Sequence, residues 1–198
     1  MTGGATVHSD VIVLVGYRGT GKSTVGRLLA ERLGWTFFDT DDHVEAAAGK
    51  SIREIFATDG EFTFRERESE SLAQLCKRIS CVIATGGGAV LRESNRELLK
   101  NSGFVAWLTA RPETVLARLQ SDPTTGERRP NLTAAGGEEE VRALIAFREP
   151  LYRAVASCEV ATDALTPEAL TDAILSAWAE PQRDRGADHF DLSSGSGC

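Results

Sequence analysis

The sequence predicts an α/β fold in which a five-stranded parallel sheet is flanked by helices on both faces. Short apolar segments alternate along the chain with longer amphipathic ones, as in parallel sheets that are covered on both sides. A glycine-rich segment follows the first apolar segment and precedes a helical pattern. With 198 residues, of which 41% are hydrophobic, the chain is long enough for one domain with its own core.

Five apolar segments fit the strands of this sheet, at residues 11–15, 35–38, 81–85, 104–108 and 158–161. Helices are predicted near residues 22–33, 40–48, 51–57, 61–79, 93–101, 112–121, 138–156 and 167–179. In the fourth of these helices, the spacing of one buried face is shown by Leu72, Leu75, Cys76 and Ile79.

Local patterns mark two helix starts. Ser51 is followed three residues later by Glu54, which is the pattern of a capping box. Thr166 and Pro167 match an N-cap and the first helical position. Three phenylalanines are expected in the core or in the wall of a pocket: Phe62, Phe64 and Phe147.

Three segments do not read as packed elements. The polar residues 180–198 and the first residues, 1–9, are expected to be disordered and to flank a domain of residues 10–179. Residues 122–137 are rich in Pro, Gly, Thr and Arg, and a long polar insertion of this kind is typical of a functional loop. We therefore expect a mobile lid there.

The composition excludes several classes of protein. There are 29 acidic and 22 basic residues, and a net charge of −7 argues against nucleic-acid binding. The longest aliphatic run, residues 11–15, is too short to span a membrane, and no Lys or Arg precedes Arg18 as a targeting peptide would require. The four cysteines lack the spacing of a zinc site or a disulfide framework. We expect a cytoplasmic monomer with no nucleic-acid or membrane partner.

The strongest motif runs from Gly16 to Ser23 and fits the P-loop pattern G-x-x-x-x-G-K-[ST]. Its glycines let backbone N–H groups surround a diphosphate, and the helix that follows adds its positive N-terminal dipole. Lys22 would reach the β and γ oxygens, and Ser23 would ligate Mg²⁺. A base-reading N-K-x-D motif of GTPases is missing, which favours phosphoryl transfer to a small molecule over a switch.

A second cluster, Asp39-Thr40-Asp41-Asp42, stands at the end of the second predicted strand. Ligands of open α/β sheets gather beyond the carboxyl ends of strands, so these carboxylates can face the P-loop. One carboxylate would hold Mg²⁺ while another accepts a hydroxyl proton. The alternative is that acidic residues simply favour the first turn of the next helix.

Together these motifs resemble the shikimate kinase family, a group of P-loop kinases. The resemblance covers about residues 10–178 and rests on six segments in order: GYRGTGKST, FFDTDD, GKSIREIFATDGEFTFRERE, ATGGGAVL, ERRPNL and FREPLYR. It implies that ATP, with Mg²⁺, phosphorylates the 3-hydroxyl of shikimate in aromatic amino-acid biosynthesis.

The resemblance also implies the role of each site residue. It assigns ATP binding to Gly19, Thr20, Gly21, Lys22, Ser23, Thr24 and Arg129, and Mg²⁺ to Ser23 and Asp39. It assigns shikimate binding to Asp41, Arg65, Glu68, Gly86, Gly87, Gly88 and Arg148. It assigns catalysis to Lys22, to Asp41 as the base and to Arg129 as a lid residue.

One assignment and two alternatives stay open. Between Arg118 and Arg129 there is no clear counterpart of the arginine that stacks on adenine in that family, and Asn131 stands where leucine is more usual. Another small P-loop kinase, acting on gluconate or a nucleoside monophosphate, would share the P-loop. A catalytically silent nucleotide-binding or partner-binding module is the alternative of a different class.

Overall fold

The computed structural model describes residues 10–121 and 138–180. Strands and helices alternate along these residues in the order β1 (Val11–Val15), α1 (Lys22–Leu33), β2 (Thr36–Asp39), α2 (Thr40–Ala48), α3 (Ile52–Thr58), α4 (Gly60–Leu75), β3 (Cys81–Ala84), a 3₁₀ turn (Ala89–Leu91), α5 (Glu93–Ser102), β4 (Phe104–Thr109), α6 (Pro112–Ser121), α7 (Glu138–Arg153), β5 (Cys158–Ala161) and α8 (Pro167–Ala179). The predicted lid, 122–137, and the predicted disordered ends lie outside the described residues, apart from Glu180, which caps α8.

The five strands form one parallel sheet in the order β2-β3-β1-β4-β5, which confirms the predicted α/β fold. In the central strand, Val13 lies opposite Ile83 on one side and Val105 on the other. Because β1 is flanked by the later strands β3 and β4, the chain reverses its direction of winding there. The carboxyl end of β1 is therefore the topological switch point, where ligands bind in open sheets of this kind.

Helices cover both faces of the sheet, so the central strands are buried throughout. Side chains of β1 alternate between two cores: Val13 contributes to the one formed with α4, α5 and α7. Leu14 contributes to the opposite core, with Leu29 of α1 and Ile174 of α8. This two-sided burial explains why the strands read as continuous apolar runs.

A smaller core joins α2, α3 and α4 beside the sheet. It is built from Val44, Ile52, Ile55 and Phe64, all buried. The predicted capping box is confirmed, because the Ser51 hydroxyl accepts from the Glu54 N–H and the Glu54 carboxylate accepts from the Ser51 N–H. Thr166 likewise caps α8, with Pro167 in its first turn.

Several predictions of the packing were wrong. Helix α4 ends at Leu75, four residues before the expected end, because the N–H of Arg78 turns back onto the Leu75 carbonyl at 3.0 Å. Ile79 is consequently 76% exposed and does not continue the buried face. Phe62 and Phe147 are also exposed, because both lie on the outer sides of their helices.

Smaller differences occur at element ends. Trp35 was predicted to begin β2, but its N–H donates to the Ala30 carbonyl at 2.8 Å, so it completes the turn after α1. Its ring packs edge-on against Trp178 of α8, and the strand begins at Thr36. Helix α7 ends at Arg153, short of the predicted residue 156. Within the described ranges, no helix combines the length and apolar character that crossing a bilayer requires.

Candidate active site

A cavity of about 330 Å³ opens at the carboxyl ends of β1, β2 and β3. It brings together most of the residues that the motifs predicted, namely Gly19, Gly21, Lys22, Ser23, Thr24, Asp39, Asp41, Gly86 and Gly87. Thr20, Arg65, Glu68, Gly88 and Arg148 do not line it but are buried beside the loops that do.

The P-loop leaves β1 and turns directly into α1. The glycines at its bends have positive φ, 143° at Gly16 and 87° at Gly21, a region that other residues rarely adopt. Gly21 is the N-cap of α1, so the helix begins at the cavity with its first N–H groups. Thr20 is turned inward, and its hydroxyl donates to the Tyr17 carbonyl at 2.8 Å, which braces the loop from within.

Lys22 is the first residue of α1 and only 8% exposed. Its Nζ donates to the carbonyl oxygens of Gly16 and Tyr17, both at 2.8 Å. These bonds hold the ammonium group against the loop, and Lys22 lines the wall of the cavity. When a phosphate binds, an ammonium group in this position can release the backbone oxygens and donate to the phosphate oxygens instead.

Ser23 and Asp39 face each other across the cavity floor. The Ser23 hydroxyl donates to Asp39 Oδ2 at 2.7 Å, and Asp39 Oδ1 accepts from the Asp41 N–H at 3.0 Å. Burial raises the pKa of Asp39, and the negative charge of Asp41 raises it further. Within residues 10–121 and 138–180, no cluster of three or more His, Cys, Asp or Glu could hold a metal alone. One carboxylate and one hydroxyl do fit Mg²⁺, because that ion takes its remaining ligands from phosphates and water.

Thr40, which sequence reasoning left without a role, joins two parts of the site. It is fully buried, and its hydroxyl accepts from the Gly86 N–H at 2.9 Å. Its carbonyl faces the Ser71 hydroxyl at 3.4 Å. The bond to Gly86 couples the Asp39–Asp41 turn to the glycine loop across the cavity. A hydroxyl between two aspartates was the only sequence signal for it.

Arg65 of α4 is held by two carboxylates on its own helix. Its Nη1 donates to Glu68 at 2.8 Å, and its Nη2 donates to Glu61 at 3.1 Å. Glu68 was predicted to orient this arginine, whereas Glu61 was not identified. A side chain at Gly88 would collide with the guanidinium, so the glycine loop lies directly against it.

Arg148 of α7 contacts the same loop. Its Nη1 donates to the Gly87 carbonyl at 3.1 Å, and the Tyr152 hydroxyl donates to that carbonyl at 2.6 Å. Among the described residues, no carboxylate forms an ion pair with Arg148, although its side chain is only 6% exposed. A buried cation in this state favours an anionic ligand.

Arg118, at the end of α6, is a cavity residue to which the sequence assigned no function. It donates to the Gly19 carbonyl at 3.2 Å and to the hydroxyl and carbonyl of Thr162 at 2.9 and 2.7 Å. It therefore ties the P-loop to the end of β5. Nothing local distinguishes it from a surface helix residue. Arg129 lies outside the described residues.

Known proteins with similar sequences agree on one family. The family model for shikimate kinase matches residues 18–179. A shikimate kinase of Rhodopirellula baltica is 45% identical over 171 residues, covering 86% of this chain and 91% of the relative. A shikimate kinase of Symbiobacterium thermophilum is 51% identical over 152 residues, covering 77% of this chain and 86% of the relative.

A solved structure agrees as well. Shikimate kinase from Acinetobacter baumannii in complex with shikimate superposes with a TM-score of 0.79 at 41% sequence identity. The match covers 85% of this chain and 92% of that one. The two proteins therefore share their fold.

Proposed function

This chain belongs to the shikimate kinase family, and from that premise we propose that it transfers the γ-phosphoryl group of ATP to the 3-hydroxyl of shikimate. The products are 3-phosphoshikimate and ADP. The proposal rests mainly on one observation: two buried arginines, Arg65 and Arg148, contact the same glycine loop beside a P-loop. The P-loop accounts for the nucleotide, and the arginines account for an anionic acceptor.

On the nucleotide side, the P-loop residues from Gly19 to Thr24 receive the phosphates. The first N–H groups of α1 and the positive end of its dipole face these charges. Lys22 gives up its bonds to loop carbonyls and stabilises the charge that spreads over the transferred group. Arg118 lines the same cavity and holds the Gly19 carbonyl, so it would stand beside the nucleotide.

Ser23 and Asp39 would hold Mg²⁺, because their oxygens already face each other at 2.7 Å. The bound ion would neutralise charge on the β- and γ-phosphate oxygens. The raised pKa of Asp39 fits this assignment, since a buried carboxylate beside Asp41 is stabilised by a cation.

On the acceptor side, the guanidinium groups of Arg65 and Arg148 bind the carboxylate of shikimate. Each offers a planar pair of donors suited to a carboxylate. Glu68 keeps Arg65 oriented, and the loop of Gly86, Gly87 and Gly88 lies against that guanidinium, where its backbone groups would contact the ring.

Asp41 lines the cavity between the two sides and takes the proton of the acceptor hydroxyl. As that proton passes to the carboxylate, the hydroxyl oxygen bonds to the γ-phosphorus, and the bond from the γ-phosphorus to the bridging oxygen of ADP breaks. In this proposal, Arg129, which lies outside the described residues, stabilises the charge of the transferred group.

Two rival functions make different demands on the site. A gluconate kinase would have to order a flexible open chain between the same arginines, which adds an entropic cost that a rigid ring avoids. A silent binding module would not require a lysine, a serine and two aspartates to share one cavity. We further propose, from the composition and the cysteine pattern, that the enzyme acts in the cytoplasm, and we propose separately that it is a monomer.

The test is the release of ADP by the full chain with shikimate, with its methyl ester, with gluconate and with no acceptor, and with Lys22→Met as the inactive control. We expect turnover with shikimate, a phosphate on its 3-oxygen by NMR, and much lower kcat/KM for the ester and for gluconate. Equal efficiency with the ester would contradict the carboxylate assignment. Faster turnover of gluconate, or no acceptor-dependent ADP, would contradict the function itself.

A further inference from the structure

Tyr17 is the one bulky aromatic residue of the P-loop motif, and phosphate binding gives it no role. It is not among the residues that line the nucleotide cavity, and it is only 3% exposed. Its ring belongs to a small core with Val115 of α6 and Val141 of α7. The P-loop is thus anchored by this ring to the helices on its far side.

The ring of Tyr17 also faces the guanidinium of Arg148. The carbon at the centre of that guanidinium lies 5.5 Å from the ring centroid, within the range of a cation–π contact. Both side chains are buried, and such contacts are strongest where water is excluded.

The other contacts of Arg148 do not fix the orientation of its guanidinium, so the contact with the Tyr17 ring can determine it. Its bond to the Gly87 carbonyl is 3.1 Å long, and the Tyr152 hydroxyl donates to the same oxygen at 2.6 Å. Its Nε makes no hydrogen bond in the described part of the chain, and no carboxylate there pairs with it. A hydrogen bond to one carbonyl, with the Tyr152 hydroxyl beside it, leaves the tilt of the guanidinium plane to its packing, and a flat aromatic surface constrains that tilt.

We propose that Tyr17 is a positioning residue for the acceptor: its ring holds the Arg148 guanidinium in the orientation that receives the substrate carboxylate. The proposal rests on the proposed role of Arg148 in binding that carboxylate. It means that a residue of the nucleotide loop, without touching either substrate, sets the affinity for the acceptor.

The hydroxyl of Tyr17 has no part in this contact. It is buried and has no hydrogen-bond partner among the described residues. The proposal therefore depends on the ring alone. It predicts different effects for two substitutions, whereas a general packing role would predict similar effects for both. Tyr17→Phe keeps the ring, whereas Tyr17→Leu keeps apolar volume without a π face.

The experiment measures kcat, the KM for shikimate and the KM for ATP in the full chain, with shikimate affinity by calorimetry. In Tyr17→Leu, we expect the KM for shikimate to rise roughly tenfold to thirtyfold, the range of a desolvated cation–π contact, with the KM for ATP changed less than about threefold. In Tyr17→Phe, we expect the wild-type KM for shikimate within about threefold. If Tyr17→Leu does not fold, Tyr17→Met removes the ring with an unbranched chain and carries the same expectation.

A double-mutant cycle with Arg148→Ala identifies the partner. Once Arg148 is absent, Tyr17→Leu should weaken shikimate binding no further. The proposal is overturned if the two effects multiply, if the KM for ATP rises as much as that for shikimate, or if Tyr17→Phe is as impaired as Tyr17→Leu. If Arg148→Ala alone leaves shikimate affinity unchanged, the carboxylate assignment in the proposed function is the error, and the role of Tyr17 fails with it.

Discussion

The Thr40 hydroxyl accepts a 2.9 Å hydrogen bond from the backbone N–H of Gly86, and this bond joins the two halves of the site. On one side are the aspartates that flank Thr40, and on the other is the loop proposed to lie against the acceptor. Because Thr40 is fully buried, water cannot replace its hydroxyl. Together with the pairing of Asp39 and Ala84 in the sheet, this side-chain oxygen sets the distance between the proposed base and the acceptor loop.

We expect Thr40→Val to lower kcat/KM for shikimate at least about tenfold, because the valine leaves the Gly86 N–H buried without a partner. Thr40→Ser keeps the oxygen and should retain most of the activity. Steady-state kinetics of both variants, together with the NMR shift of the Gly86 amide, checks this. Unchanged activity in Thr40→Val, or equal loss in the two variants, would contradict a role that rests on the hydroxyl alone.

Gly88 is expected to tolerate no side chain because of its neighbour rather than its backbone. Its φ of −99° and ψ of −3° suit any residue, yet a Cβ atom there would collide with the Arg65 guanidinium. Gly88→Ala should therefore displace Arg65 and raise the KM for shikimate about tenfold or more, with the KM for ATP nearly unchanged. A parallel rise in both constants would point instead to a general distortion of the cavity.

The two carboxylates that bind Arg65 are expected to differ in importance. The Glu68 side chain is 1% exposed, whereas that of Glu61 is 58% exposed, so solvent screens the second pair. Glu68→Gln should lower kcat/KM for shikimate about tenfold or more, and Glu61→Gln less than about fivefold. Kinetics of the two variants side by side gives the ranking, and the reverse order would contradict it.

Much of the fold was accessible from the sequence because its signals are local. Continuous apolar strands, the Ser51 capping box and the Thr166 cap each depend on residues within a few positions of one another. The errors occurred where a distant contact or a turn overrides the local pattern. Ile79 continues a helical spacing in the sequence, but the chain has already turned toward β3.

The residues of the site also fall into two groups: those that belong to a local motif and those that depend on contacts between distant parts of the chain. The P-loop and the aspartate turn are contiguous motifs, and the structure brings them into one cavity. The bond from Thr40 to Gly86 spans 46 positions, and the contact of Arg118 with the Gly19 carbonyl spans 99. Such partners follow from the strand order of the sheet, which no local pattern encodes.

Arg118 is expected to serve the nucleotide and not the acceptor. It holds the P-loop through the Gly19 carbonyl and lines the cavity, which Arg65 and Arg148 do not line. Arg118→Ala should raise the KM for ATP roughly tenfold and leave the KM for shikimate within about threefold. Arg111→Ala is the matched control, because Arg111 is a largely exposed arginine that lies just before the start of α6 and outside this cavity. A shikimate-specific defect in Arg118→Ala would contradict the assignment.

The last prediction concerns the charge of Asp39. Burial is the main reason that the pKa of Asp39 is raised, and among the charges Asp41 raises it more than Asp42 does. Removing a negative neighbour makes ionisation easier, so Asp41→Asn should lower the pKa of Asp39 and Asp42→Asn should lower it less. In both variants the carboxylate persists to lower pH than in the wild type.

The pKa of Asp39 can be followed without ligands, from the ¹³C shift of its carboxyl carbon as the pH is lowered. The raised pKa means that the folded protein binds this proton more tightly than the unfolded chain does, so folding stability gains from Asp39 as the pH falls through that pKa. Asp41→Asn should shrink this acid-side gain along with the pKa. If Asp42→Asn lowered the pKa of Asp39 more than Asp41→Asn does, Asp42 would be the main charge that acts on Asp39. The proposed arrangement, in which the metal ligand Asp39 lies beside the base Asp41, would then lose its electrostatic support.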